Sequence, residues 1–226
     1  CKAGEPLGIK LQSPLMGSNV LNKPDKKFKS PHLRASEPSA WVQRFAPLVR
    51  AGGPVLDVTC GGGRHTRLFA DRGHPVVGID RDLDHMGDLT TRADVELINF
   101  DLENDGLLPV PGRRFAAIVL IYYVHRPLFS ELMALLEPGG MFVCETFAHG
   151  DEVYHSPHNP DHLLANGELL DIVQGHLQVV AYEHGLVESP FPGRPFPGIV
   201  QRLCATNDRA VKDDGTATAP PRALDP

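Results

Sequence analysis

The stretch "VLDVTCGGGRHTRLF", Val55 to Phe69, constrains the fold more than any other part of the chain. An apolar run stops at an acid, passes through Thr-Cys-Gly-Gly-Gly, and resumes as a basic segment with apolar residues at helical spacing. Three adjacent glycines cost backbone entropy, so they belong where a chain turns tightly or where backbone must approach a ligand. Strand, glycine turn and helix together make the first half of a βαβ unit.

The rest of the chain continues that alternation. "PVVGID" reads as a second strand, "VELINFD" as a third, "FAAIVLIYYV" as a fourth and "MFVCETF" as a fifth; "LQVVAYEHG" and "GIVQRLCATN" follow as the sixth and seventh. Helices are expected over "SEPSAWVQRFAPLV", with an N-cap at Ser36 or Ser39, and over "RHTRLFADRG", which Gly73 stops. A weaker helix is expected over Leu83 to Thr91, one over "RPLFSELMALLEPGG" closed by Pro-Gly-Gly, and one over "GELLDIVQGH". Strands separated by helices of this length imply right-handed crossovers and a mainly parallel sheet covered on both faces. The last two strands are joined by "LVESPFPGRPFP", too proline-rich for a crossover helix, which predicts an antiparallel pair at the sheet edge. The expected fold is α/β: a Rossmann-like, doubly wound seven-stranded sheet with an antiparallel last strand.

Residues 36–206 carry this pattern as one domain. Residues 1–35 hold seven Lys and Arg against two acids, a charge of +5, and their Pro, Gly, Ser and Lys content predicts a flexible basic leader. Residues 207–226 read as a disordered tail. The whole chain is -6, so the remainder is -11 (-6 minus 5). An acidic body argues against a broad nucleic-acid surface, which needs clustered positive charge. No apolar run reaches the roughly 20 residues of a membrane span. The four cysteines lack paired-ligand spacing and read as reduced thiols, which places the protein in the cytoplasm by expectation.

In doubly wound sheets, ligands bind outside the carboxyl ends of the strands, where the strand order reverses. Here the first strand-to-helix loop is Thr59-Cys60-Gly61-Gly62-Gly63, and Gly61 and Gly63 are expected to let backbone approach a ligand. The second strand ends in Asp80, placed to accept hydrogen bonds from ribose hydroxyls. The third ends in Asp101, a partner for an adenine amino group. Three strand-end acids, counting Asp57, suit a nucleoside. They suit a pyrophosphate less well: the third glycine of a dinucleotide fingerprint is Thr66 here, and Asp57 adds negative charge beside the loop.

"VLDVTCGGGRHT", "VVGIDRD", "FDLE" and "LLEPGGMFV" resemble, in order and spacing, the successive motifs of class I S-adenosylmethionine-dependent methyltransferases, over roughly Trp41 to Thr206. "YYVHRPLF", "ETFAHG" and "HNPDHLLANGELL" are similar to a bacterial subgroup of small-molecule enzymes related to the tellurite-resistance and thiopurine methyltransferases. The resemblance implies S-adenosyl-L-methionine as cofactor, held by Asp57, Thr59, Gly61, Gly63, Asp80, Asp101, Leu102 and Tyr122, and a small-molecule methyl acceptor as partner. Thr59 departs from the Gly or Ala of many members, and a β-branched residue there is expected to keep a negative φ.

Methyl transfer from a sulfonium is an in-line displacement that needs alignment and exclusion of water more than proton chemistry. Tyr123 and His125, just after the fourth strand, are the candidate catalytic residues lining the acceptor pocket. Their alternatives are a packed aromatic and a helix-start histidine bonded to backbone. Arg64 and His65 open the helix after the glycine loop, either to meet the cofactor carboxylate or to face solvent. His149, His155, His158 and His162 lie on a Pro-broken segment that reads as a cover over the acceptor; they match no zinc signature, and no metal site is expected. Cys60 is either a reactive thiol at a helix start or a small residue chosen for fit. The competing functions are RNA or protein methylation, a nicotinamide-dependent oxidoreductase, and a cofactor-binding protein without turnover.

Overall fold

The computed structural model describes residues 37–104, 106–154, 159–188 and 197–208. The expected leader over 1–35, the alternative cap Ser36, and the expected tail beyond residue 208 lie outside the described residues.

Among the described residues seven strands form one sheet: β1 (Val55–Val58), β2 (Val76–Asp80), β3 (Val95–Asn99), β4 (Phe115–Ile121), β5 (Leu136–Phe147), β6 (Gln178–Val187) and β7 (Gly198–Thr206), in the order β3-β2-β1-β4-β5-β7-β6. The β3-β2-β1-β4-β5 pairs are all parallel, and β7 runs antiparallel to both β5 and β6. β7 is thus the single reversed strand, inserted between two strands that share the common direction. The chain lays down β1, β2 and β3 outward on one side and then returns to add β4 and β5 on the other. The strand order therefore reverses between β1 and β4.

Among the described residues four α-helices cover the sheet: α1 (Ala40–Phe45), α2 (Arg64–Asp71), α3 (Leu128–Ala134) and α4 (Glu168–Val173). Alternate residues of β4 feed opposite faces, as the strand period requires. Ala117, Val119 and Ile121 join Trp41 and Phe45 of α1 and Phe69 of α2; Ile118 and Leu120 join Phe129 and Leu132 of α3 and Leu169 of α4. All seven β4 residues are buried, which is why this strand reads as the longest apolar run. Ser39 caps α1, its hydroxyl accepting from Trp41 N–H at 3.1 Å, and the Trp41 indole donates to Leu203 O across the sheet.

Two expected helices are corrected. Leu83 to Thr91 holds only a 3-10 turn over Gly87–Thr91. Asp82 and Asp84 are drawn into side-chain turns instead, Asp80 Oδ1 accepting from Asp82 N–H and Asp82 Oδ1 from Asp84 N–H. The second is the segment closed by Pro-Gly-Gly. α3 stops at Ala134, and Leu136 to Gly140 already belong to β5, with a register shift where Phe115 pairs Leu136 but Ala117 pairs Met141. Gly140 is required there, because a Cβ would sit 2.8 Å from the carbonyl oxygens of Glu137 and Phe115. The Pro-Gly-Gly is a bulge in the sheet, not a helix stop.

Candidate functional site

The point where the strand order reverses, at the carboxyl ends of β1 and β4, is marked by backbone conformation. Among the described residues only Thr59 and Tyr122 combine a side chain with positive φ, each at 58°. One follows β1 directly and the other follows β4, so the two lie on neighbouring strands where the order reverses. Each such residue costs on the order of 1–3 kcal/mol and persists only where its surroundings over-determine it. Thr59 therefore overturns the expectation of a negative φ. Its hydroxyl turns back to donate to Val58 O, and the next N–H, of Cys60, is fixed on Ile79 O at 3.0 Å. Tyr122 is held by its N–H on Glu145 O at 2.7 Å.

The glycine loop is built by packing as much as by ligand approach. Gly61 and Gly63 both have left-handed φ, 56° and 77°. At Gly63 a Cβ would lie 2.3 Å from Leu89 Cδ1 and 3.0 Å from Met86 Cε. Its bare α-carbon thus faces the buried β2–β3 connection, so packing alone already requires a glycine there. The loop also sits on the sheet: a Cβ at Gly78 would meet Cys60 Sγ at 3.1 Å. Cys60 is buried and burial pushes its thiol far up, away from nucleophilic use, so it is a residue of fit.

The three expected carboxylates have three different environments. Asp80 closes β2 and is half-buried; its Oδ2 accepts from Gly61 N–H at 2.8 Å and its Oδ1 from Asp82 N–H at 2.9 Å. Each oxygen retains a lone pair for a further donor. Asp57 is 1% exposed within β1, with Oδ2 accepting from Thr66 Oγ1 at 2.6 Å, and burial raises its carboxyl to about 6. Asp101 stands two residues past the end of β3, which stops at Asn99, and its carboxylate accepts from Glu103 N–H and Asn104 Nδ2. Leu102 beside it is buried in the core. A polar depression lined by Arg81, Asp82, Leu83, Asp84, Asn99 and Asp101 runs past the ends of β2 and β3.

On the β4–β5 side a polar cluster gathers around Glu145. This residue is 1% exposed and accepts from Ser39 Oγ, from Tyr122 OH at 3.3 Å and from Arg202 Nε at 2.8 Å. Tyr122 stacks on Phe147, with ring centroids 5.1 Å apart, and the Arg64 guanidinium lies 5.7 Å from the Tyr122 centroid. Arg64 is buried rather than solvent-facing. His65 is buried too; its Nε2 accepts from Ser39 N–H at 3.1 Å, and burial holds its pKa well below the usual value, so the ring is neutral. In the sequence Ser39 shows only as a cap and Glu145 only as the end of a strand. The available signal was an acid inside the apolar run "MFVCETF", since a charge in a buried strand needs partners.

Tyr123 and His125 lie together outside this cluster, their ring centroids 6.4 Å apart, both half-buried. The Tyr123 hydroxyl reaches Glu103 at 3.5 Å, spanning from the loop after β4 to the loop after β3, and burial raises its pKa. His125 O accepts from Leu128 N–H at the start of α3. Beside them, Arg126 pairs with Glu168 at 2.6 Å and donates to Asp161 O and Leu163 O. It fastens the segment after β5 to α4. His149 and His162 lie on that segment, whereas His155 and His158 lie outside the described residues. Among the described residues no three His, Cys, Asp or Glu side chains are grouped to hold a metal, and no helix is long and apolar enough to cross a membrane.

A glycine loop leading into a helix, strand-end carboxylates beside it, and a sheet ending in β5-β7-β6 define a class I methyltransferase-type fold. Residues 31–185 match the methyltransferase-domain family, and the chain belongs to it. Among solved structures, the N-methyltransferase NodS from Bradyrhizobium japonicum is 15% identical, with a TM-score of 0.56 over 74% of this chain and 92% of that one. TehB from Haemophilus influenzae is 14% identical, with a TM-score of 0.61 over 74% of this chain and 61% of that one. The 1,6-didemethyltoxoflavin-N1-methyltransferase from Burkholderia thailandensis, solved with its substrate and S-adenosylhomocysteine, is 19% identical, with a TM-score of 0.51 over 81% of this chain and 79% of that one. At these identities the likeness is one of fold. No curated protein sequence matches the chain.

Proposed function

We propose that this protein is an S-adenosyl-L-methionine-dependent methyltransferase acting on a small-molecule acceptor. The observation that carries the reading is Asp80, whose carboxylate sits at the end of β2, tethers the glycine loop through Gly61 N–H, and keeps an acceptor site on each oxygen. A ribose diol fits such a carboxylate, and the negative charge of Asp57 beside the glycine loop suits a cation better than a diphosphate. When bound, the cofactor supplies an activated methyl group.

The chain's own residues supply the rest. Asp80 takes the ribose, the depression lined by Leu83, Asn99 and Asp101 takes the adenine, and Leu102 supports it from the core. Asp57 places negative charge beneath the glycine loop, where Gly61 and Thr59 face the amino-acid tail and Gly63 keeps the loop packed down. Tyr122 forms the wall between β1 and β4. Tyr123 and His125 stand at the mouth toward the acceptor, orienting it and excluding water; no proton transfer is obligatory if the accepting atom is already nucleophilic. Residues 36–206 act as the catalytic domain. The neighbours named as N-methyltransferases favour a small acceptor over RNA or protein, as does the acidic body.

Calorimetric titration of the cofactor-stripped protein with S-adenosylmethionine, S-adenosylhomocysteine and NAD tests this. The first two should saturate and NAD should not, and Asp80→Ala should weaken both by about tenfold or more, the loss of hydrogen bonds to a charged group. Binding of NAD without binding of either sulfur nucleoside would return the glycine loop to dinucleotide chemistry.

A further inference from the structure

Glu145 grips Tyr122 at both ends. Its carbonyl oxygen accepts from Tyr122 N–H at 2.7 Å, and its carboxylate accepts from the Tyr122 hydroxyl at 3.3 Å. An ion pair with Arg202 would satisfy a buried acid without any tyrosine. The second grip has a geometric effect: it fixes a ring on a left-handed backbone that no bulky residue adopts unaided.

The ring so fixed is a plate for Arg64. Phe147 stacks on Tyr122 with 24° between the rings, and the Arg64 guanidinium lies over the ring at 5.7 Å. Arg64 is 9% exposed, and its hydrogen bond to the protein goes to Glu37 O at 3.4 Å. Among the described residues no carboxylate stands within ion-pair distance of it, although it opens α2 at the end of the glycine loop. A guanidinium held out of water by an aromatic plate and a backbone carbonyl is stabilised by an incoming anion, and its planar fork matches a carboxylate.

On the cofactor reading above, we infer that Glu145 is a positioning residue. Through Tyr122 it aims Arg64 at the carboxylate of the cofactor's amino-acid tail, and so sets how strongly the protein prefers nucleosides that carry that tail.

Two probes isolate the effect: S-adenosylhomocysteine, which has the tail, and 5′-methylthioadenosine, which lacks it. Both are titrated into the full chain as wild type, Arg64→Met, Glu145→Gln, Tyr122→Phe, and the double variant Arg64→Met/Glu145→Gln. A charge-assisted hydrogen bond predicts a wild-type preference for the tailed probe of roughly tenfold to hundredfold. Arg64→Met should erase that ratio. Glu145→Gln and Tyr122→Phe should each shrink it about threefold or more, a part of the size of one hydrogen bond to a charged group, because the loss reaches the ligand only through Arg64. The double variant should match Arg64→Met alone, because Glu145 acts through Arg64.

Tyr122→Phe keeps the ring and the Glu145–Arg202 pair, so it reports even if Glu145→Gln does not fold. An equal loss of affinity for both probes in Glu145→Gln, or a ratio untouched by Arg64→Met, overturns the inference while leaving the cofactor reading standing. Wild-type protein that binds neither probe overturns the cofactor reading, and the inference with it.

Discussion

Asp57 is an acid buried in the middle of a parallel sheet, with one hydroxyl from Thr66 as its hydrogen-bonding side chain. Burial raises its carboxyl from the usual value to about 6; the Thr66 bond and the charge of Arg64 pull the other way, while Asp80 adds to the rise. The folded protein thus holds this proton more tightly than the unfolded chain does. Folding is favoured as pH falls from about 6 toward 4, and the ionised group costs the native state about 3 kcal/mol at neutral pH. Asp57→Asn should therefore be more stable than wild type at pH 7.5, by about 1–3 kcal/mol on this linkage. The advantage should fade below pH 5, where wild type is also neutral. Urea unfolding of both proteins between pH 4.5 and 7.5 measures it, and a pH-independent difference would refute the assignment. Asp57 and Asp80 were legible in the sequence because acids ending apolar runs need a reason. The φ of Thr59 was not, since it is imposed by hydrogen bonds to neighbouring strands. Glu145 was equally hidden, its side-chain partners lying 23, 57 and 106 residues away along the chain.

The sheet was easier to read than the helices. The inner strands are buried on both faces and show as apolar runs, whereas the half-exposed edge strands β3 and β6 show only as shorter apolar stretches. The helices are six to eight residues long, too short for periodicity to mark their ends, so the pattern runs past the observed structure at Leu83 and after Ala134. Glycines were recognised as turn formers, but what a missing Cβ avoids is a tertiary fact. Gly63→Ala tests this for the strand-loop-helix unit. The new methyl would press on Leu89 and Met86 from a left-handed backbone, and the protein should lose about 2 kcal/mol or more of stability by thermal or urea unfolding. An alanine variant as stable as wild type would remove the packing role. A second element-level outcome concerns Arg126, which holds Asp161 and Leu163 by their carbonyls and Glu168 by its carboxylate. Arg126→Met should speed amide exchange between residues 159 and 168 while sparing β4 and β5, because a fastening at the surface governs local opening and not the core. Uniform exchange changes across the sheet would show that Arg126 supports the whole fold instead.

At the scale of the molecule, the sheet divides its labour along its width. The parallel half, β3-β2-β1-β4, turns its strand ends toward the crevice, and the β5-β7-β6 half braces that crevice from behind through Arg202 and Trp41's bond to Leu203. The bracing strand is also the last to emerge. β7 lies between β5 and β6, so until the residues through Thr206 leave the ribosome β5 presents a bare edge and β6 has no neighbour to hold it. The parallel strands can pair as they are made, whereas the sheet closes only when its latest strand slides into an internal slot. The nascent domain is therefore sticky until β7 is made, and that interval is the period when a chaperone has most to protect.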